Sequence, residues 1–447
     1  MLVRVLIVLV LGLLPRSVGA AGFALDYEGA RALGFATAGG ASAEDATTIF
    51  YNPAGMNYLG RDQLIVGGAL FILHDNFTNQ GSTILGGALP TPGTNGNQAF
   101  PTTPVPWFYG THRVEDNVTV GLGLFAPFGL KDDYGSNFVG RYQSQKAALT
   151  VVDLNPSIAY RPLPWLSLGA GANIEYARLQ LGQAIDFGSL CVVALGTGSC
   201  SAAFGLTPGQ SDGHVKLTAN GFAPGYNFGV LIEPDEATRL GVAYRSGTSY
   251  QFGNAKQRFA VPPTAQGFLA AAGMPLAFTG GTASVNLPLP GRLSFAVRQT
   301  LSDKLELLFD TTLTFWDVFR TTVITPADVA TGVAATVKQH YHNAPRVAAG
   351  LGYDASADWT FRGGIAFDRT PVSLAFEQAA LPDRNRIYVS AGASYRLSEV
   401  VTLDLGISHA SYLGSVPIDR VGIGGDRLTG EFNAGGEILA AQIKIEY

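Results

Sequence analysis

The sequence predicts an all-β protein, a 14-stranded antiparallel transmembrane β-barrel plugged by a small N-terminal hatch. Three observations point to this fold class: apolar and polar residues alternate along many segments, short and long connectors alternate between those segments, and only 14% of the 447 residues are charged. A period of two gives a strand one apolar and one polar face. Soluble domains carry about 25% charged residues, so this composition favours a wall in contact with lipid.

The alternation is clearest between Lys304 and Trp316. The apolar face of this segment consists of Leu305, Leu307, Phe309, Leu313 and Phe315. The final segment repeats the pattern with Leu439, Ala441, Ile443, Ile445 and Tyr447. Strands of about ten residues or more, with short turns at one end of the barrel and long loops at the other, are typical of outer-membrane barrels.

The connectors set the number of strands. The predicted strands start near Asp62, Val105, Asn117, Ala147, Trp165, Gly213, Ala237, Thr282, Asp303, Ala335, Ala357, Arg384, Val400 and Gly435. Six tight turns and seven long loops separate these 14 segments. Both chain ends therefore lie on the periplasmic side, as bacterial barrels require, and the barrel proper covers residues 62–447.

Residues 1–20 are predicted to be a secretory signal peptide. Arg4 supplies the positive charge, Val5 to Leu14 form a short apolar core, and small residues precede a cleavage site near Ala20. No apolar run reaches the ~20 residues of a spanning helix. Since lipid cannot satisfy open backbone groups, a membrane protein without spanning helices must be a closed barrel. We therefore expect the outer membrane of a Gram-negative bacterium as the location.

Residues 21–61 do not alternate and are predicted to form the hatch. Ser42 to Asp45 resembles a helix start, and Tyr51 to Gly55 resembles a helix stop. The alternative is a periplasmic tail, but the apolar side chains of this segment would then meet water. A plug folded inside the barrel is the favoured interpretation.

Two cysteines, Cys191 and Cys200, lie in one predicted loop. In an oxidising compartment they could form a disulfide that stiffens the loop. The alternative is a metal pair, which the absence of nearby histidine or carboxylate partners disfavours. We predict neither a metal site nor a cofactor.

Motifs spread along the chain carry a resemblance to a known family. The segment Ala21 to Met56, with Asn-Pro-Ala at 52–54, is similar to the hatch of the FadL/TodX family of outer-membrane transporters. Further matches are PFGL at 127–130, GRY at 140–142, NPSIAY at 155–160, YRS at 244–246, NLPLP at 286–290, DWTFRGGIAFDRTPV at 358–372 and LPDRNR at 381–386. The resemblance implies a channel that takes up long-chain fatty acids or hydrocarbons by loop capture, inner-pocket binding and hatch-gated lateral release.

The resemblance also implies functional residues by position. The substrate-binding residues would be Phe125, Phe128, Leu130, Tyr134, Phe138, Gln183 and His342. The gating residues would be Phe23, Leu25, Asn52, Pro53, Ala54 and Pro156, the last being able to break a strand ladder locally. The alternative is that these residues serve ordinary loop and strand packing.

The substrate class stays open at the level of sequence. In fatty-acid members of the family, basic side chains meet the carboxylate, whereas Gln183 and His342 stand at the corresponding positions here. A buried carboxylate needs a compensating charge. Either Arg178 or Arg362 substitutes, or these arginines pair with acids in the lumen and the substrate is a neutral hydrocarbon.

Other functions are less favoured. A barrel enzyme acting on outer-membrane lipids would need a nucleophile near a histidine and an acid, and no motif nominates one, so we predict no enzyme. A passive porin is disfavoured by the hatch and the apolar loops. The net charge of −5 argues against nucleic acid. The expected partners are a hydrophobic ligand, outer-membrane lipid and lipopolysaccharide, and the barrel-assembly machinery acting on the C-terminal strand of a monomer.

Overall fold

A computed structural model describes residues 22–96 and 99–447, so the predicted signal peptide lies outside the described residues. Fourteen antiparallel strands close into a barrel. Their bounds are β1 Gln63–Asn79, β2 Thr103–Glu115, β3 Val118–Asp133, β4 Lys146–Leu163, β5 Leu166–Asp186, β6 Asp212–Asp235, β7 Thr238–Arg245 continued as Thr248–Ala260, β8 Gly281–Leu289 continued as Arg292–Ser302, β9 Leu305–Thr314, β10 Ala344–Asp354, β11 Trp359–Asp368, β12 Arg386–Arg396, β13 Val401–Tyr412 and β14 Arg427–Glu446. The predicted strand number and antiparallel order are confirmed.

The barrel closes through a long ladder between its first and last strands. Gln63 of β1 pairs with Glu446 of β14, and the register continues without a break to Asn79 opposite Gly430. This ladder pairs the first and last strands along their length, as a sheet in lipid requires. Among the described residues, no helix is long and apolar enough to cross a membrane.

Two predicted strand boundaries are wrong. The tenth strand starts at Ala344 instead of near Ala335, because Thr321–Pro326 and Ala335–Lys338 form a separate hairpin beside the upper part of β8. The last strand starts at Arg427 instead of near Gly435. The period of two continues from the wall into hairpins above the membrane, so alternation alone cannot mark where a strand leaves the lipid.

Short helices occur in the N-terminal segment and in the long loops. The α-helices are α1 Ala30–Gly34, α2 Thr48–Tyr51, α3 Phe187–Leu195, α4 Thr197–Phe204 and α5 Pro263–Ala271. The 3-10 helices are Pro53–Tyr58, Leu85–Gly87, Trp316–Val318 and Leu374–Phe376. Short strands outside the wall are Thr83–Ile84, Leu89–Pro90 and Val416–Val421, besides the hairpin above β8.

A disulfide joins Cys191 of α3 to Cys200 of α4. Both sulfur-bearing side chains are fully buried, and they pack with Phe187, Leu206 and Phe268 in a small apolar cluster above the barrel. The bond therefore ties together two helices of one loop, beside α5 of another.

Replacing both cysteines by serine is expected to loosen this loop cluster while the barrel stays folded. The disulfide closes a loop of 9 residues, for which chain entropy gives about 2–3 kcal/mol. Limited proteolysis should cut the C191S/C200S variant between residues 187 and 212 much faster than the unsubstituted protein. Equal cleavage rates would show that packing alone holds the loop.

Residues 22–61 cross the lumen and contact opposite walls. Gln442 of β14 accepts a hydrogen bond from the Ala30 amide at 3.0 Å, and Asp310 of β9 accepts one from the Gly40 amide at 3.1 Å. Arg239 of β7 donates to the Ser42 carbonyl at 2.7 Å. Leu33, Phe35, Ile49, Phe50 and Met56 of this segment are among the most buried side chains of the protein. The main core is therefore the filled lumen of the barrel.

Candidate functional site

The barrel wall is interrupted where β3 bends inward. Phe125 pairs with Asp153 of β4 but Phe128 pairs with Val151, so two residues of β3 face one residue of β4. This is a β-bulge, which bends a strand, and Pro127 within it cannot donate to the ladder. The ladder between β2 and β3 ends at Phe108 opposite Leu124. Above that pair the two strands separate.

The N-terminal segment occupies the edge of β3 that β2 leaves unpaired. The Leu25 amide donates to the Pro127 carbonyl at 2.9 Å, and the Gly129 amide donates to the Phe23 carbonyl at 3.1 Å. Ala24 thereby stands opposite Phe128 in an antiparallel bridge. Buried backbone groups must be paired, so residues 23–25 take the place of a neighbouring strand beyond the bulge.

A cavity of about 570 Å³ lies between this bridge and the walls of β1 to β4 and β12 to β14. Its walls are mainly apolar and aromatic. The apolar lining includes Phe23, Leu25, Phe71, Trp107, Phe108, Leu124, Phe125, Phe128, Leu130, Leu149 and Leu381. Phe108 and Leu124 are also exposed on the outer surface of the wall, so the cavity reaches the gap between β2 and β3.

Aromatic rings hold Phe23 at the inner side of this cavity. Its ring centroid lies 4.8 Å from that of Trp316, 5.6 Å from that of Phe319 and 6.2 Å from that of Phe128, each in an edge-on arrangement. Such pairs each add about 0.5–1.5 kcal/mol beyond buried area. The start of the N-terminal segment thus contacts both the 3-10 turn at Trp316–Val318 and the bulge strand.

Arg386 is among the polar residues that line the cavity, and it lies in a group of polar side chains. Its Nη2 lies 3.6 Å from Asp368 Oδ2 and 3.8 Å from Asp383 Oδ1, and its Nη1 donates to the Tyr412 hydroxyl at 3.2 Å. Its Nε is buried and has no hydrogen-bond partner among the described residues. Burial raises the pKa of the loop residue Asp383 above its ordinary value, although Arg386 opposes this. The guanidinium therefore keeps donor capacity for a further polar group.

Five of the predicted site residues line this cavity: Phe23, Leu25, Phe125, Phe128 and Leu130. Tyr134 and Phe138 lie elsewhere, stacked on each other with ring centroids 4.4 Å apart in a separate filled cluster with Phe77 and Phe432. The Tyr134 hydroxyl donates to Asp75 at 3.0 Å and to the Ala379 carbonyl at 2.8 Å. A role for Tyr134 and Phe138 in substrate binding stays a prediction.

Three further predicted residues also lie outside the cavity lining. Gln183 is near the extracellular end of β5, opposite Val215. His342 precedes β10 in irregular backbone, and its buried Nε2 has no hydrogen-bond partner. Pro156 faces outward on β4, and the strand register is unchanged on either side of it. Of the two prolines, Pro127 marks the bend instead, because unequal numbers of residues face each other at Pro127 and equal numbers at Pro156.

The Asn-Pro-Ala motif fixes the other end of the N-terminal segment to β5, β6 and β7. The Asn52 amide group donates to the Val230 carbonyl at 3.1 Å and the Val242 carbonyl at 3.3 Å, while its oxygen accepts from the Ala54 amide at 3.1 Å. A Cβ on Gly169 of β5 would lie 2.2 Å from the Ala54 nitrogen. A glycine is therefore required there for the close approach.

Of the two arginines considered from sequence, neither lies in the cavity lining. Arg178 is exposed on the outer surface of β5 between the buried residues Ala177 and Leu179. Arg362 is buried over the Phe35 ring, and its three side-chain nitrogens have no hydrogen-bond partner. Sequence reasoning missed Arg386, although Arg386 is the last residue of the motif LPDRNR. Considering each arginine of that motif as a candidate would have found it.

Comparison with known proteins agrees with this geometry. The family model of outer membrane protein transport proteins, OMPP1/FadL/TodX, matches residues 12–447. A long-chain fatty acid transport protein of Escherichia coli is 28% identical over 398 residues, covering 87% of this chain and 86% of its own. Outer membrane protein P1 of Haemophilus influenzae is 29% identical over 419 residues, covering 87% and 86%.

Solved structures show the same fold. The crystal structure of a Pseudomonas aeruginosa FadL homologue superposes with a TM-score of 0.85 at 21% identity, covering 95% of this chain and 100% of that one. The toluene transporter TodX of Pseudomonas putida superposes with a TM-score of 0.63 at 15% identity, covering 93% and 98%. At these identities the likeness concerns the fold alone.

Proposed function

The chain belongs to the OMPP1/FadL/TodX family of outer membrane transport proteins, and we propose that it carries long-chain fatty acids inward through the cavity beneath its extracellular loops. Outer-membrane transport of hydrophobic substrates is the shared function of the family. The observation that supports the finer proposal is the cavity itself, whose lining is mainly apolar and includes Arg386. Its volume of about 570 Å³ falls in the range of small-molecule sites, about 300–1,000 Å³.

The apolar walls supply the driving force for entry. Burying apolar surface stabilises a bound chain by about 25 cal/mol per Å², and the lipopolysaccharide layer blocks direct partitioning into the membrane. Arg386 would meet a carboxylate, since an arginine fork matches that group and a charge-assisted hydrogen bond is stronger than a neutral one. The long-chain fatty acid transport protein of E. coli, similar over most of its length, supports this substrate class.

We place the exit at the gap above Phe108 and Leu124, with residues 23–25 as its latch. In the closed state these residues pair with β3 beyond the bulge. If they withdraw, the freed N–H and C=O groups of β3 need new partners. Ligand that displaces Phe23 from its aromatic contacts would thus couple loading of the cavity to opening of the gate. The remainder of residues 21–61 acts as the hatch, held by the Asn-Pro-Ala motif.

Uptake in a host that lacks its own hydrophobic transporter tests the proposal. Cells that carry this protein should take up labelled oleate faster than toluene or decane. The variant Phe128→Ala should lower oleate uptake about tenfold at limiting substrate, because a buried phenylalanine contributes at least about 1.5 kcal/mol. Phe295→Ala, which removes a half-exposed ring from the outer face of β8, is the matched control and should change nothing.

Two outcomes would contradict the proposal. Preferred uptake of toluene or decane would identify a hydrocarbon channel in which Arg386 has a structural role. Leakage of hydrophilic solutes without uptake of any apolar compound would favour a passive porin.

A further inference from the structure

Six cationic side chains lie on the outer surface of the barrel near its extracellular rim. They occupy five adjacent strands, β3 to β7, and form what we call the basic patch: Lys131, Lys146, Arg178, Lys216, Lys256 and Arg258. All are exposed except Lys146, whose side chain is 37% exposed. The chain as a whole has a net charge of −5, so this concentration of positive charge is local.

Strand alternation places these side chains outside the lumen. On β6, Leu217 follows Lys216 and Ala219 precedes Asn220. Leu217 and Ala219 both belong to the buried apolar cluster in the lumen that contains Phe23. On β5, Ala177 and Leu179 of the same cluster flank Arg178. Since successive side chains point to opposite faces of a sheet, the cations point away from the lumen.

Carboxylates compensate only a small part of the charge of the basic patch. In the part of the chain that the structure describes, one of the six makes an ion pair, Lys146 with Asp133 at 2.6 Å. Lys216 stands directly opposite Arg258 in the ladder between β6 and β7. Like charges directly opposite each other destabilise a strand pair, so an external anion on this surface would relieve a repulsion that the chain itself leaves in place.

The rim formed by β1, β13 and β14 does not share this charge. At a similar height on β1, β13 and β14, the outward side chains include His74, His409 and Glu437, and Glu437 lies 3.2 Å from a ring nitrogen of each histidine. The positive surface of β3 to β7 therefore does not extend across β13, β14 and β1.

An apolar and aromatic wall lies directly below the basic patch. On β5 the outward residues below Arg178 are Leu166, Leu168, Ala170, Ala172, Ile174 and Tyr176. This stretch covers about 33 Å along the strand, or about 25 Å in height at a tilt of about 40°, which matches the lipid-facing band of such barrels. Tyr176 and Phe222, with ring centroids 5.0 Å apart, mark its upper edge. Arg178 is one outward position above Tyr176, and Lys216 is three outward positions above Phe222.

We propose that the basic patch is a binding site for the phosphorylated head group of lipid A, the glycolipid anchor of lipopolysaccharide, with the acyl chains lying against the wall below. Lysine and arginine are the residues that bind phosphate, and clusters of them at a membrane surface recognise anionic head groups. The arrangement fits a lipid because the acyl chains and the phosphates would meet apolar and cationic surfaces in the correct order. Lys131 also borders the substrate cavity, so bound lipid A would flank the gap between β2 and β3.

Lipid A retention by the full-length protein tests this site. Native mass spectrometry in an uncharged detergent would compare bis-phosphorylated lipid A with the same lipid after removal of both phosphates. The variant K216Q/K256Q/R258Q should retain roughly tenfold less of the phosphorylated lipid. The matched control R61Q/K304Q/R396Q removes three exposed cations near the periplasmic end and should stay within about twofold of the unsubstituted protein.

Three results would overturn the proposal. The first is that both triple variants retain the same amount of phosphorylated lipid A. The second is that the unsubstituted protein retains phosphate-free lipid A as well as the phosphorylated form. The third is that oleate displaces lipid A in proportion to the oleate that binds at the patch. The last would assign the patch to the carboxylate of a transported molecule. Heat-modifiable mobility on a gel verifies that each variant is folded. The assay measures no uptake, so its outcome is independent of the function proposed above.

Discussion

A disulfide between residue 24 and residue 128 is expected to abolish uptake, and reduction is expected to restore it to the lowered level of the F128C single variant. Ala24 and Phe128 stand opposite each other in a bridge whose two hydrogen bonds join their neighbours. In such a non-hydrogen-bonded pair the Cα atoms are about 4.5 Å apart, a separation that a disulfide can span, since it accepts about 4.4–6.8 Å. The variant A24C/F128C would thus lock the N-terminal segment to β3, and uptake of labelled oleate by oxidised and reduced cells measures the effect.

A second crosslink in the lumen serves as the control. Ser390 of β12 and Ser408 of β13 are buried, and their hydroxyl oxygens are 2.8 Å apart. The variant S390C/S408C joins two wall strands that our mechanism does not separate, so oxidation should leave its uptake unchanged. It also controls for reduction of the Cys191–Cys200 bond. Full uptake by completely crosslinked A24C/F128C would show that the latch need not open.

Replacing Arg386 by glutamine is expected to lower oleate uptake by tenfold or more, while decane uptake changes little. The change removes the cation and leaves Asp368 and Asp383 beside the cavity, so this part of the cavity would repel a carboxylate. A hydrogen bond to a charged group contributes about 1.5–3 kcal/mol, which corresponds to about ten- to a hundredfold in affinity. Oleate and decane uptake, measured in parallel at limiting concentration, give the ratio.

Two further variants separate recognition from stability. Arg386→Lys keeps the charge but loses the two-pronged guanidinium, so it should recover part of the oleate uptake. Arg396→Gln, at the exposed end of the same strand, should behave as the unsubstituted protein. If R386Q reduced oleate and decane uptake equally, Arg386 would be a structural residue and the substrate would not be recognised by its charge.

Part of the candidate site was predictable from sequence. The aromatic residues Phe23, Phe125 and Phe128 were assigned through motifs, and all three line the cavity. Tyr134 and Phe138 come from the same stretch of sequence but fill a different cluster. Nothing local distinguishes the two sets, because the inward bend between Phe125 and Phe128 decides which side chains reach the cavity.

The two prolines of the strands illustrate the same point. Both Pro127 and Pro156 lack an amide donor, and from sequence either could bend the wall. The structure shows a change of register at Pro127 and none at Pro156. A bulge depends on how many residues the partner strand places opposite, which is information that lies some 25 residues away in the chain.

The sequence by itself determined the barrel, its 14 strands and the outward-facing band, since these follow from a period of two and from connector length, both local properties. The tertiary structure alone decided which arginine reaches the cavity, which proline bends the wall, and which edge of β3 the N-terminal segment occupies. These features depend on register between strands and on one segment crossing the lumen, and no single segment encodes them. The basic patch depends on both, because alternation makes each cation point outward while only the ladder between β6 and β7 places Lys216 opposite Arg258.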